Sequence, residues 1–268
     1  MSRQDQYNNA PIGVFDSGVG GISVLRHIHA ALPNESLVYC ADSRFAPYGS
    51  KSPQAIRERA LYLTDFLLDQ GVKALVIACN TATAAAVAQL RERYELPIVG
   101  MEPAVKPAAA ATKTGVVGVL ATSGTLASAQ FAALLESYGR HITVVTEACH
   151  GLVECIERGE LDSGETRRLL ALYVSPLLQA GADTIVLGCT HYPFVRPLIE
   201  ELAGPDVTLI DTGAAVARQL QKRLDGAALQ AAPDGQGRVR FWSNGEMPQA
   251  AAVITRLWGT GADVGALP

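Results

Sequence analysis

A chain of 268 residues, 49% apolar, 18% charged and 6% aromatic, can bury one large core or two cores of moderate size. Its net charge of −4, with no Lys/Arg run beyond two residues, offers no electrostatic footprint for nucleic acid. No apolar stretch approaches the roughly 18 residues of a membrane-spanning helix.

The opening segment "MSRQDQYNNAP" is polar and lacks the apolar region of a secretory signal, so it is expected to be a short disordered leader. Short runs rich in Val, Ile and Leu then alternate with longer helical stretches. Strands are predicted at 12–15, 36–41, 74–78, 97–100, 115–121, 142–147, 184–188 and 207–210. Little polar alternation within these runs suits strands covered on both faces, as in parallel α/β sheets. Helices are predicted over 52–70 and 162–180. Their expected caps are Ser52 before Pro53, and Asp162; Asp211-Thr212 is expected to cap a further helix. After it come a polar linker at 225–237, a strand at 238–243 and a last helical stretch.

An internal repeat sharpens this reading. Residues 52–79 slide without a gap onto 162–189, pairing Arg57 with Arg167, Gly71 with Gly181, Val76 with Val186 and Cys79 with Cys189. Upstream, "IGVF" meets "VGVL" and "SLVYCAD" meets "HITVVTE" at a slightly different offset. Two similar, open, mainly parallel α/β domains related by a pseudo-two-fold axis, with strands ending in equivalent places, are therefore expected. The first is expected to be discontinuous, 1–102 plus 212–268, and the second to cover 103–211. The Pro-interrupted connection is at 101–115.

Ligands of open parallel sheets bind beyond the carboxyl ends of the strands. Four strand ends here break into small or polar residues. They are "FDSGVGG" with Asp16, Ser17, Gly18, Gly20 and Gly21; "ACNTAT" with Cys79, Asn80 and Thr81; "ATSGT" with Thr122, Ser123 and Thr125; and "GCTHYP" with Cys189, Thr190 and His191. The glycines are expected to let the backbone approach a ligand. A thiol at such a tip, near a helix N-terminus, is expected to have a lowered pKa. A lone buried cysteine usually only packs, but two at repeat-equivalent tips suggest a pair of acid/base groups. Cys40, Cys149 and Cys155 lack that setting and are read as structural. The odd number of cysteines, without CxxC spacing or an export signal, suits reduced thiols in the cytoplasm.

Other chemistries fit less well. "DSGVGG" invites a dinucleotide-binding reading with Asp42 on the ribose, but Ser23 stands where the third glycine belongs. No lysine sits at a strand tip to carry pyridoxal phosphate. Zinc on Cys79, Cys189, His191 and Asp16 would lack the close ligand spacing of known sites.

Five motifs in order, "GVFDSGVGGISVLR", "YCADSRFAPYGSKS", "VIACNTATA", "VLATSGT" and "LGCTHYPF", resemble those of the cofactor-independent glutamate racemases, within the aspartate/glutamate racemase family. The resemblance runs from residue 12 to about 212. It implies two α/β domains with the active site in the cleft between them, and interconversion of L- and D-glutamate for peptidoglycan synthesis with no metal or organic cofactor. It makes Cys79 and Cys189 the proton-transferring pair, assisted by Asp16 and His191. Asp16, Ser17, Tyr48, Gly49, Asn80, Thr81, Thr190 and His191 would hold glutamate, with Thr122 and Thr125 as further anion contacts. Glu154 matches a family acidic position loosely. The expected partner is glutamate alone, apart from a second copy of the chain in a homodimer. A racemase of aspartate and a nicotinamide-dependent oxidoreductase are the competing readings.

Overall fold

The computed structural model of the protein describes residues 7–268. Residues 1–6 of the expected leader lie outside the described residues. From Asn8 onward the chain is tied down: the Asn8 N–H donates to the Gln230 carbonyl, and the Lys73 ammonium donates to the Asn8 carbonyl.

The first half runs β1 (Ile12–Asp16), α1 (Ile22–Ala31), β2 (Leu37–Ala41), α2 (Pro53–Asp69), β3 (Ala74–Ile77), α3 (Asn80–Arg93), β4 (Ile98–Val99) and α4 (Val105–Ala111). The second runs β5 (Val116–Ala121), α5 (Ser123–Leu126), α6 (Ala129–Tyr138), β6 (Thr143–Ala148), α7 (Leu152–Glu157), α8 (Gly164–Gln179), β7 (Thr184–Leu187), α9 (Arg196–Ala203) and β8 (Thr208–Ile210). The chain closes with α10 (Gly213–Ala227), β9 (Val239–Ser243), α11 (Met247–Trp258) and β10 (Val264–Ala266).

These elements build two α/β domains, each on an all-parallel sheet. One sheet has the order β10-β9-β2-β1-β3-β4 and the other β6-β5-β7-β8. The blocks β2-β1-β3-β4 and β6-β5-β7-β8 repeat one topology, and the strands matched by the sequence repeat occupy equivalent places in it. Every residue of β1, β2 and β3 is buried, which explains their unbroken apolar character. The first sheet packs Ile22, Leu25 and Ile28 of α1 with Leu220 of α10 and Ile254 of α11 on one face. Its other face carries Ile56, Leu63 and Leu67 of α2 and Leu90 of α3. The second sheet is covered by Leu170, Val174 and Leu177 of α8 on one side and Val105 and Phe131 on the other.

Several local details differ from the sequence reading. Ser52 does cap α2, accepting from the Ala55 N–H at 3.2 Å. At α8 the cap is Ser163, not Asp162, because Ser163 Oγ accepts from the Thr166 N–H while Asp162 pairs with Arg167. The connection at 101–115 holds a helical segment, α4, since Pro107 lies in its first turn, where no N–H is needed. A strand, β10, follows the last helix and pairs with β9 at the sheet edge. Among the described residues no helix is long and apolar enough to cross a membrane.

Candidate active site

In a sheet ordered 2-1-3-4 the crossovers leave β1 in opposite directions, so a crevice opens at the carboxyl ends of β1 and β3. Asp16 ends β1, and Cys79 follows β3 by two residues. In the second sheet the equivalent strands are β5 and β7; Thr122 follows β5 directly and Cys189 follows β7 by two residues. The two crevices face each other. Ser17, Tyr48, Gly49, Cys79, Asn80 and Thr81 from one domain, and Thr122, Cys189, Thr190 and His191 from the other, line one narrow cavity. Pro47, Val153 and Gly188 complete its wall. Cys79 and Cys189 are both buried, 5% and 7% exposed, so both thiols are shielded from bulk water.

Cys79 is the N-cap of α3, and its Sγ accepts from the Ala82 N–H at 3.4 Å. Its thiol also reaches Ser17 Oγ at 3.8 Å. The expected lowering of its pKa is not found. Burial pushes the Cys79 thiol well up and the Asp16 charge adds to this, while the Ala82 N–H pulls the other way. The helix terminus loses because the thiolate would be fully desolvated beside an anion. Cys189 does not cap a helix; a 3-10 turn over Tyr192–Val195 stands between it and α9.

Asp16 is fully buried and held by its own loop. Its carboxylate accepts from Ser17 N at 2.7 Å and Gly21 N at 2.6 Å, and from Thr190 Oγ1 across the cleft at 3.3 Å. Burial nevertheless raises its pKa, opposed by the His191 charge. His191 Nδ1 lies 3.6 Å from Cys189 Sγ, and Nε2 lies 2.6 Å from Glu157 Oε1. Burial disfavours its imidazolium, yet the hydrogen bonds to Cys189 and Glu157 prevail and hold it well above the usual imidazole value.

Glu157 was missed by sequence reasoning. Its carboxylate also accepts from Val19 N at 2.7 Å and Ser43 Oγ at 2.8 Å, both in the first domain. Glu154, carried from the resemblance, lies half-buried one turn earlier on α7. An acidic residue near "GLVECIE" was the available signal, and the partner of His191 is its neighbour at the next turn.

The glycines of "DSGVGG" sit where no side chain would fit. A Cβ on Gly18 would lie 1.9 Å from Glu157 Oε1, on Gly20 2.2 Å from His191 Nδ1, and on Gly21 2.8 Å from the Asp16 Cβ. They let the backbone approach protein side chains, chiefly those of the opposite domain. Gly49 does likewise against Thr122, and its carbonyl accepts from Ser123 Oγ at 3.0 Å.

The remaining polar groups divide into occupied and free. The Tyr48 hydroxyl donates to Asp42, which also receives two bonds from Arg59 and one from Asn244. Asp42 therefore anchors the 42–50 loop in place of any ribose. Thr81, Thr122 and Thr125 join their hydroxyls in a triangle of 2.9–3.0 Å edges across the cleft. The buried Asn80 amide has neither its oxygen nor its nitrogen bonded to another described residue. The Cys/Asp/Glu grouping with ligand atoms close together is Cys155, Glu160 and Glu165, outside this cavity, and Arg158 binds all three.

The His191–Glu157 pair makes stability depend on pH. An unfolded histidine titrates near about 6.5, and the folded value lies above it. The stabilising contribution is complete below the unfolded value and is lost as pH rises through the folded one. Glu157→Gln is thus expected to destabilise most in mildly acidic buffer and progressively less toward alkaline pH. Urea melts across a pH series check this; a gap that stays constant or widens with pH would contradict it.

Residues 12–220 match the family model described as Asp/Glu/Hydantoin racemase. The chain is 61% identical over 258 residues to a protein of Ectopseudomonas mendocina named glutamate racemase, covering 96% of this chain and 98% of that one. Among solved structures it is similar to a Bacillus anthracis glutamate racemase isoform, with TM-score 0.86, 32% identity and 98% of both chains covered. It is also similar to the Francisella tularensis glutamate racemase in complex with D-glutamate, with TM-score 0.82, 30% identity, and 97% of this chain and 98% of that one covered. With the repeated fold, the paired strand-end cysteines and these likenesses together, the chain belongs to the Asp/Glu/Hydantoin racemase family of isomerases.

Proposed function

We propose that this protein interconverts L- and D-glutamate by a two-base mechanism in which Cys79 and Cys189 work from opposite faces of the α-carbon, and that it supplies D-glutamate for peptidoglycan synthesis. The observation that carries the reading is that one cysteine from each of two topologically equivalent strand ends lines a single cavity between the domains. The name and bound D-glutamate of the F. tularensis relative support the choice of substrate.

In this reading one cysteine, as thiolate, takes the α-proton while the other, as thiol, returns a proton to the opposite face. Two fixed groups avoid moving one base around the substrate. The raised Cys79 pKa suits a resting thiol there; the entering ammonium group offsets the Asp16 charge and eases ionisation. His191, held by Glu157, lies against Cys189 and assists it. The α-carbanion requires hydrogen bonds aimed at the substrate carboxylate. The unpartnered Asn80 amide is one donor, with Ser17 beside it and Thr190 lining the opposite wall while its hydroxyl stays on Asp16. The hydroxyls of Thr81, Thr122 and Thr125 and the loop at Tyr48–Gly49 hold the side-chain carboxylate, with Tyr48 contributing its ring and backbone while its hydroxyl stays on Asp42. We assign 1–102 and 212–268 to the domain carrying Cys79, and 103–211 to the one carrying Cys189.

Enzyme dialysed against chelator, without added pyridoxal phosphate, is expected to abolish the circular dichroism of either glutamate enantiomer. Activity restored only by zinc or pyridoxal phosphate, or confined to aspartate, would refute the proposal.

A further inference from the structure

Ser23, which breaks the dinucleotide-binding pattern, is the second residue of α1. Here the α1 N-terminus has no side-chain cap. The buried Ser23 hydroxyl instead donates to the Thr190 carbonyl at 2.7 Å, across the cleft and 167 residues away in sequence. Thr190 lies between Cys189 and His191. Its own hydroxyl donates to Asp16, so both polar ends of that residue are held by the first domain. Gly20, three residues before Ser23, packs against the His191 ring. A buried carbonyl loses free energy when left unbonded, so the bond also sets how the 189–191 peptides lie when the domains are closed.

We infer that Ser23 is a positioning residue for Cys189: its hydroxyl orients the Cys189–Thr190–His191 segment from the opposite domain and so aims the Cys189 sulfur at the α-carbon. The inference rests on the two-cysteine reading, and it makes a one-sided claim. Cys79 is mounted on α3 and gains nothing directly from Ser23. Loss of the hydroxyl therefore harms deprotonation by Cys189 and spares deprotonation by Cys79.

A glutamate carrying chlorine on its β-carbon separates the two. The thiolate takes the α-proton, the C–H electron pair becomes the Cα=Cβ bond, and chloride leaves with the C–Cl pair. The enamine then hydrolyses to the 2-oxo acid and ammonium. Only one cysteine acts on each enantiomer, and released chloride is the readout. The Cys79→Ser variant identifies the enantiomer handled by Cys189. Ser23→Ala is expected to slow elimination from that enantiomer about ten-fold, a scale set by small misplacements of reacting groups, and to leave the other within about two-fold. Ser23→Thr, which keeps the hydroxyl, is expected to restore most of the loss. A merely structural role would lower both rates together, so equal losses, or none, overturn the inference. Were Cys189→Ser itself to show no enantiomer preference, the two-cysteine reading would fall and this inference with it. A clear preference in Cys189→Ser beside an even-handed Ser23→Ala would overturn the role of Ser23 alone.

Discussion

Cys79→Ser and Cys189→Ser are each expected to lower glutamate racemisation by about a thousand-fold or more, within the range that a positioned acid/base group supplies. A serine hydroxyl fills the thiol's place but ionises far less readily, so it is a poor base. In the proposed mechanism both cysteines are needed for racemisation, because each turnover uses one to remove a proton and the other to return one. Elimination from the β-chloro analogue needs only the first step. Each variant is therefore expected to retain elimination with the enantiomer facing its remaining thiol and to lose it with the other, and the two variants should show opposite preferences. The assignment of one cysteine to each face fails if both variants lose both enantiomers equally. It fails also if either racemises glutamate at near the unaltered rate.

Gly20→Ala is expected to cut kcat by about a hundred-fold, the cost of displacing a reacting constellation by roughly 1 Å, with only a small change in melting temperature. The added methyl carbon would lie 2.2 Å from His191 Nδ1 and 2.5 Å from its Cε1. His191 cannot yield cheaply, because it is buried and held at both ring nitrogens by Cys189 and Glu157. Either the ring leaves Cys189 or the domains part slightly, and both outcomes disturb the site. Gly20 has no positive φ, so the penalty comes from crowding alone. Gly71 supplies the opposite case: its φ is +74° and a Cβ there meets nothing. Gly71→Ala should cost about 1 kcal/mol of stability and leave turnover unchanged. Steady-state kinetics and thermal melts on both variants check this, and a fully active Gly20→Ala protein would contradict the packing account.

What could be read from the sequence was whatever the backbone period or the repeat imposes. Val14, Val76 and Val119 lie in runs buried on both faces, and such runs announce a parallel sheet. Cys79 and Cys189 emerged because the repeat places both just past the third strand of their unit. Glu157 stayed hidden because its partners Val19, Ser43 and His191 are 138, 114 and 34 residues away; no local pattern encodes such a meeting. Glu154 and Glu157 share one short helix, and choosing between them requires knowing where the other domain sits. The commitment of the Tyr48 hydroxyl to Asp42, and of Ser23 to Thr190, is hidden for the same reason. The Cys79 pKa was misjudged because sequence shows the helix start but not the depth of burial.

The shared strand order of the two sheets bears on what variation in either half can achieve. The two forms of glutamate are mirror images, with equal free energy in water, so their equilibrium constant is one whatever the protein does. The ratio kcat/KM must then be equal in the two directions, however far the halves have drifted apart in sequence. Asymmetry between the Cys79 side and the Cys189 side is free to appear in kcat and in KM separately, each compensating the other. A chain built from two similar halves thus has room to tune saturation by one enantiomer against the other, but no means of favouring a direction.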